Sequence, residues 1–180
     1  MMTTSDRAEA LDTFESAALP HMNDLFRTAV SMLGNRSEAE DAVQECFLQA
    51  WKSFDRFQRG TNCRAWLYKI LFHVVSHHRR KWLRFSTAED PQILEDTLPA
   101  RAEVREELTD EDLLSAVRGM PQQYAEVVLL ADVREFSYKE IQETLGIPIG
   151  TVMSRLSRGR EYLRGQLSRA QVRSQVRARA

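Results

Sequence analysis

Glycine is scarce in this chain, seven in 180 residues, and runs of strictly alternating apolar and polar residues are scarcer still. That shortage removes folds built on hairpins and leaves apolar residues recurring at three and four, the period of a helix. No apolar run approaches the roughly 20 residues needed to cross a bilayer. The N-terminal stretch MMTTSDRAEALDTFESAALP lacks a basic start followed by an apolar block, so it does not read as an export signal. Only two cysteines, Cys46 and Cys63, are present, and they read as free thiols in a reducing compartment. These absences point to the cytoplasm and to no membrane contact. Glycine-rich phosphate loops and Ser/His/Asp or Cys/His groupings are missing too, and the carboxylates gather in one connecting stretch. An enzyme has no anchor here and no cofactor is implied. His73 and His77 stand at i, i+4, but no carboxylate shares their face, so no metal site is expected.

What is present is a charge pattern hidden by a net charge of −1. Residues 20–85 hold eleven Lys and Arg against six Asp and Glu, and residues 113–180 hold eleven against six again. Between them, residues 86–112 hold two against ten, and residues 1–19 hold one against four. Two basic blocks flank an acidic connector, and a basic block suits a polyanion.

Helical spacing fills both blocks, so the expected fold is all-α: two small helical domains joined by a flexible acidic linker. Residues 1–19 read as an N-terminal tail. In 20–85, Met22, Leu25, Phe26, Ala29, Val30 and Leu33 mark a first helix ended by Gly34. Ser37-Glu38-Ala39-Glu40 reads as a capping box opening a second helix to about Phe54. The polar loop Asp55–Cys63 leads to a third helix, about 64–84. The linker, 86–110, carries Pro91 and Pro99, and its second half, from Ala102, is open to helix or coil. Four helices then fall near 111–118, 122–133, 138–145 and 150–169, and the arginine-rich tail 170–180 reads as frayed.

The last two of those helices carry the sharpest signal. Ser137-Tyr138-Lys139-Glu140 is a capping box, Gly146-Ile147-Pro148 makes a tight reversal, and Val152, Leu156, Gly159 and Leu163 form one stripe. Thr151, Ser154, Arg155 and Arg158 fall on the opposite side. Two short helices around a tight turn, the second showing hydroxyls and guanidinium groups, are a helix-turn-helix, which suits the major groove. The N–H groups at Gly150–Val152 offer a place for a phosphate.

In the first domain, Ala42, Val43, Cys46, Phe47 and Ala50 form a buried stripe of the second helix. Asp41, Gln44, Glu45, Leu48 and Trp51 share another side, as either a docking surface or the domain's edge; spacing alone does not decide. In the third helix, Leu67, Ile70, Leu71, Val74 and Val75 suit the core. Lys69, His73, Ser76, His77 and Arg80 run along the other side, with Trp66, Tyr68, Phe72 and Trp82 interleaved, a pattern that suits single-stranded nucleic acid. Trp66 and Tyr68 are each open to core or stacking roles.

DAVQECFLQAW and DRFQRGTNCRAWLYKI resemble conserved region 2 of the sigma-70 factors, and SYKEIQETLGIPIGTVMSRLSRGREYL resembles their region 4. With both motifs in order and nothing large between them, the chain resembles an extracytoplasmic-function sigma factor. The resemblance implies that the Asp41–Trp51 face binds the clamp helices of the β′ subunit of core RNA polymerase. It implies that Arg56, Phe57, Arg59, Thr61, Asn62, Arg64 and Trp66 read and open the −10 element of promoter DNA, with a base turned out. Lys69, His73, His77 and Arg80 then carry that strand. Ser137, Tyr138, Lys139, Gly150, Thr151, Ser154, Arg155 and Arg158 become the −35 reader. The linker resembles the segment that threads near the polymerase active centre, and an anti-sigma protein is an implied inhibitor. Met153, Ser157 and Gly159 depart from the lysine, histidine and alanine frequent at such positions, and Asn62 and Cys63 stand where the loop varies. A stand-alone helix-turn-helix regulator and a helical interaction protein without DNA are the competing classes.

Overall fold

The computed structural model describes residues 4–58, 60–86 and 110–178, with side chains for 9–80 except Arg59 and for 110–172. Arg59 and the linker positions 87–109 therefore lie outside the described residues. Every regular element among the described residues is helical. The first domain contains α1 (Thr4–Ala18), α2 (Met22–Leu33), α3 (Arg36–Ser53) and α4 (Cys63–Ser86). The second contains α5 (Asp110–Gly119), α6 (Gln122–Val128), α7 (Tyr138–Leu145) and α8 (Ile149–Ala178), with α6 continuing into a π turn at Leu129–Val133.

Local chemistry sets the helix ends. Gly34 ends α2 in the left-handed region, φ 75°, with its N–H donating to the Val30 carbonyl. The cap of α3 is Asn35, not the expected Ser37: Asn35 Oδ1 accepts from the Glu38 N–H at 3.1 Å. Arg36 is already helical and its Nε pairs with Glu40 Oε1 at 3.0 Å, which takes Glu40 away from a capping role. α4 is capped by Asn62, whose Oδ1 accepts from the Ala65 N–H at 3.0 Å. The capping box of α7 is formed as expected.

Both ends of the chain differ from expectation. Residues 4–18 form α1 rather than a tail, because Phe14 and Ala18 are buried. The Phe14 ring lies edge-on to Trp51 and Phe54, with centroids 5.3 and 5.1 Å away. α8 runs past Arg169 to Ala178, since no glycine or proline interrupts residues 166–178.

Leu25, Ala29, Met32, Cys46, Leu67, Leu71 and Val75 pack between α2, α3 and α4. Met120, Val127, Leu130, Ile141, Val152 and Leu156 pack between α5 and α8. These are two halves of one continuous buried cluster, because the second domain lies against α2 and α4. Tyr68, fully buried, meets Phe136 edge-on at 5.5 Å across that junction. Tyr68 and Phe72 are therefore core rings, which resolves the choice left open for Tyr68.

Candidate nucleic-acid interface

The turn into α8 is built by the caps beside it. Glu140 Oε2 accepts from the Ser137 N–H at 2.8 Å and the Ser137 hydroxyl at 2.7 Å, and these bonds hold the Glu140 carboxyl below the usual carboxylate range. Gly146 closes α7 at φ 65°, a conformation that favours glycine. Val152 and Leu156 are buried as expected, and Gly159 sits against Val128. Opposite them, Ser154 and Arg158 are exposed, while Thr151 and Arg155 are half-buried. Tyr138 and Lys139 are exposed at the start of α7, and Gly150 is exposed at the start of α8. The expected phosphate site is smaller than the sequence implied. The Thr151 and Val152 N–H groups already donate to the Pro148 carbonyl, at 2.8 and 3.1 Å.

Arg155 approaches an acid that the spacing argument overlooked. Burial raises the Glu126 carboxyl, and Gln122, Arg155 and Arg79 act in the opposite direction. A second overlooked pair is Arg160 with Asp132, joined by two bonds of 3.0 and 2.5 Å.

On α4, Lys69, His73, His77 and Arg80 form an exposed stripe at i, i+4, i+8 and i+11. The loop before it is partly self-contained. Arg56 and Thr61 are exposed, but the Thr61 hydroxyl donates to the Gln58 carbonyl at 2.7 Å. Phe57 is half-buried, stacked on Phe54 at 5.8 Å and 4.7 Å from the half-buried Trp66 ring. Asn62 caps α4 and donates to Glu140 Oε1 at 3.2 Å. Arg64 stands apart from the stripe. It donates to the Arg134 carbonyl at 2.7 Å, and its guanidinium lies 4.4 Å from the Phe136 ring.

α3 presents Asp41, Gln44 and Leu48 to solvent, and Leu48 is 58% exposed. Glu45 is tied down, accepting from Gln49 Nε2 at 3.0 Å and lying 3.1 Å from His78 Nε2. Trp51 is half-buried, with the Phe14 ring against it.

Among the described residues, the side chains named from the sequence lie on three surfaces, but Arg64, Asn62 and Glu45 are engaged in internal contacts. Sequence reasoning missed Arg79 and Arg134. Arg79 follows Phe72 and Val75 by seven and four residues, so helical spacing already placed it on an inward face. Arg134 carried no local signal, because its partners, Asp24 and Thr28, lie more than a hundred residues away.

Residues 18–84 match the sigma-70 region 2 family model, and residues 110–163 match that of sigma-70 region 4. An extracytoplasmic-function sigma factor, SigW of Bacillus subtilis, is 34% identical over 168 residues, covering 87% of this chain and 89% of its own. This chain belongs to the extracytoplasmic-function sigma factors of the sigma-70 family. SigE of Mycolicibacterium smegmatis is 32% identical over 171 residues, covering 92% of this chain and 65% of that protein. Among solved structures, the sigma factor RpoE of Bartonella quintana, in complex with the anti-sigma factor NepR, superposes with a TM-score of 0.69. It is 27% identical and covers 87% of this chain and 97% of its own. CnrH, in complex with the cytosolic domain of CnrY, shares the fold with a TM-score of 0.65 at 24% identity.

As a sigma factor the chain is a transcription-initiation subunit that binds core RNA polymerase and promoter DNA, and it is not an enzyme. The region 2 match accounts for the first domain and removes the stand-alone regulator from consideration. Among the described residues, no helix is long and apolar enough to cross a membrane.

Proposed function

We propose that three surfaces of this sigma factor divide the work of initiation. The α3 face of Asp41, Gln44, Glu45, Leu48 and Trp51 docks on the clamp helices of the polymerase β′ subunit. The loop carrying Arg56, Phe57, Arg59, Thr61 and Asn62, with Arg64 and Trp66 on the first turns of α4, opens and reads the −10 element. Lys69, His73, His77 and Arg80 then track the phosphates of the freed strand. Ser154, Arg155 and Arg158 read the −35 major groove, Gly150 and Thr151 position the helix end, and Ser137, Tyr138 and Lys139 contact the backbone. Of the two cysteines, neither has a part in this chemistry. The factor works in the cytoplasm, and an anti-sigma protein, such as the one RpoE is seen with, holds it inactive.

The observation that carries this reading is Leu48. A large apolar side chain stands 58% exposed, beside Asp41 and Gln44, on a helix whose other face buries Ala39, Ala42, Val43, Cys46 and Ala50 and half-buries Phe47. Such a side chain among polar neighbours is the form of a docking hot spot. Leu48→Asp weakens core polymerase binding about thirtyfold and leaves the far-ultraviolet spectrum unchanged. Arg155→Glu with Arg158→Glu retains core binding but loses initiation at start sites that need an upstream element. Pull-down and run-off transcription measure the two; unchanged core binding by the first variant would remove the α3 surface from the scheme.

A further inference from the structure

Arg160 lies on α8 but off its reading side. It follows Arg158 by two residues, about 200° round an α-helix, so it turns away from the groove that Ser154, Arg155 and Arg158 are placed to enter. There it meets Asp132, in the π turn that continues α6, a rare backbone form that concentrates at functional sites. Arg160 Nε donates to Asp132 Oδ2 at 3.0 Å, and Nη2 donates to Asp132 Oδ1 at 2.5 Å. Two parallel bonds fix the plane of the guanidinium as well as its place. The side chains of Arg160 and Asp132 are 50% and 34% exposed, and a surface pair of that kind contributes little to stability. What the fold gains from it is a guanidinium held still.

Tyr138 and Arg160 line one open groove of about 630 Å³, together with Met153, Ser157 and Arg164. The bond to Asp132 foremost, with the Tyr138 hydroxyl adding to it, holds the Arg160 guanidinium above the ordinary arginine range. The α7 capping box fixes the backbone beside Tyr138. Its ring, 40% exposed at the edge of the groove, keeps two side-chain torsions of its own. A guanidinium already clamped by a carboxylate is a fixed point against which that ring settles. A phenol oxygen that accepts from a guanidinium N–H still has its own O–H to donate. The bond it accepts polarises that O–H, and a phosphate oxygen is a strong acceptor for it.

We propose that Asp132 is a positioning residue for −35 recognition: the clamped Arg160 orients the Tyr138 hydroxyl toward a phosphate beside the −35 element. Asp132 itself touches no DNA. It acts through Arg160, and Arg160 acts through Tyr138, a chain that rests on the reading of Tyr138 as a backbone contact.

The test uses holoenzyme, reconstituted from core polymerase and the full chain, on a promoter that needs its −35 element. Asp132→Asn removes a negative charge near DNA, so charge alone predicts tighter promoter binding. Loss of positioning predicts the opposite, binding about fivefold weaker with core binding unchanged, and Tyr138→Phe weakens it equally. The double variant is no weaker than either single one. Arg160→Lys, which keeps the charge but loses the fork, matches Asp132→Asn, while Asp132→Glu recovers part of the loss. Single methylphosphonates scanned across the −35 flanks then locate the contact. One phosphate whose neutralisation weakens binding by the unchanged chain falls silent in Tyr138→Phe, and the same one falls silent in Asp132→Asn. A merely structural role for Asp132 would weaken binding without silencing one phosphate. Equal or tighter binding by Asp132→Asn, additive losses in the double variant, or a scan in which Asp132→Asn keeps that phosphate overturns the positioning role. If Tyr138→Phe itself binds the promoter normally and silences no phosphate, it is the assignment of Tyr138 to the backbone that has failed.

Discussion

A single methyl group decides one departure from the family pattern. Gly159 reads from the sequence as a mild weakness in α8, since alanine is favoured over glycine by about 1 kcal/mol in a helix interior. In the structure a Cβ at that position would stand 2.5 Å from Val128 Cγ2 and 3.4 Å from Tyr124 Cβ. Overpacking of that kind costs about 1–3 kcal/mol and exceeds the helix gain. Gly159→Ala is expected to lower stability by about 1 kcal/mol in urea unfolding, and Val128→Ala in the same chain to recover part of it. The cysteines also divide at this scale. Burial, with Glu45 adding to it, pushes the Cys46 thiol up to about 12. Burial raises the half-buried Cys63 as well. Iodoacetamide at pH 8 should leave Cys46 unlabelled in the folded chain and label Cys63 slowly, while urea exposes both; rapid native labelling of Cys46 would contradict its place in the core.

At the scale of elements, the caps show why some helix starts are visible in sequence and others are not. Ser137 and Glu140 face each other three residues apart, and the box forms as the pattern implies. The similar pattern at Ser37–Glu40 is bypassed because Asn35, two residues earlier, is an equally strong cap and lets the helix begin sooner. The α7 box has a pH signature. Glu140 is held below its ordinary pKa by Ser137, so its contribution to stability is present above the unfolded carboxylate pKa of about 4.3 and fades as pH falls through the lower folded value. The stability gap between this chain and Glu140→Gln should therefore be open at pH 7 and close toward pH 3 in urea titrations. A gap that persists at the acid end would place the stabilisation elsewhere than in the charged cap. α1 is an element that periodicity concealed, because its contribution rests on two buried side chains, Phe14 and Ala18, rather than on a broad apolar face of its own.

At the scale of the whole molecule, the two domains share one buried cluster and the Asp24–Arg134 pair. Cooperative unfolding follows from such sharing. Tryptophan fluorescence, reporting Trp51, Trp66 and Trp82 of the first domain, and circular dichroism, reporting all helices, should give coincident transitions. Asp24→Arg should separate them. Separate transitions in the unchanged chain would mean that the domains melt independently and that the junction adds little.

The all-α class, the order of the helices from α2 onward, the basic stripe of α4 and the helix-turn-helix were legible in the sequence. Helical period and capping act over four residues, and a charge pattern needs no partner to be seen. The half-buried state of Trp51 beneath Phe14, the role of Gly159 and the bonding of Arg64 to the Arg134 carbonyl were not. Each depends on an atom supplied by a distant part of the chain. Local pattern was enough to show which surfaces this sigma factor has to offer. Only tertiary packing decided which of them are open, because a guanidinium takes whichever oxygen the fold brings within about 3 Å.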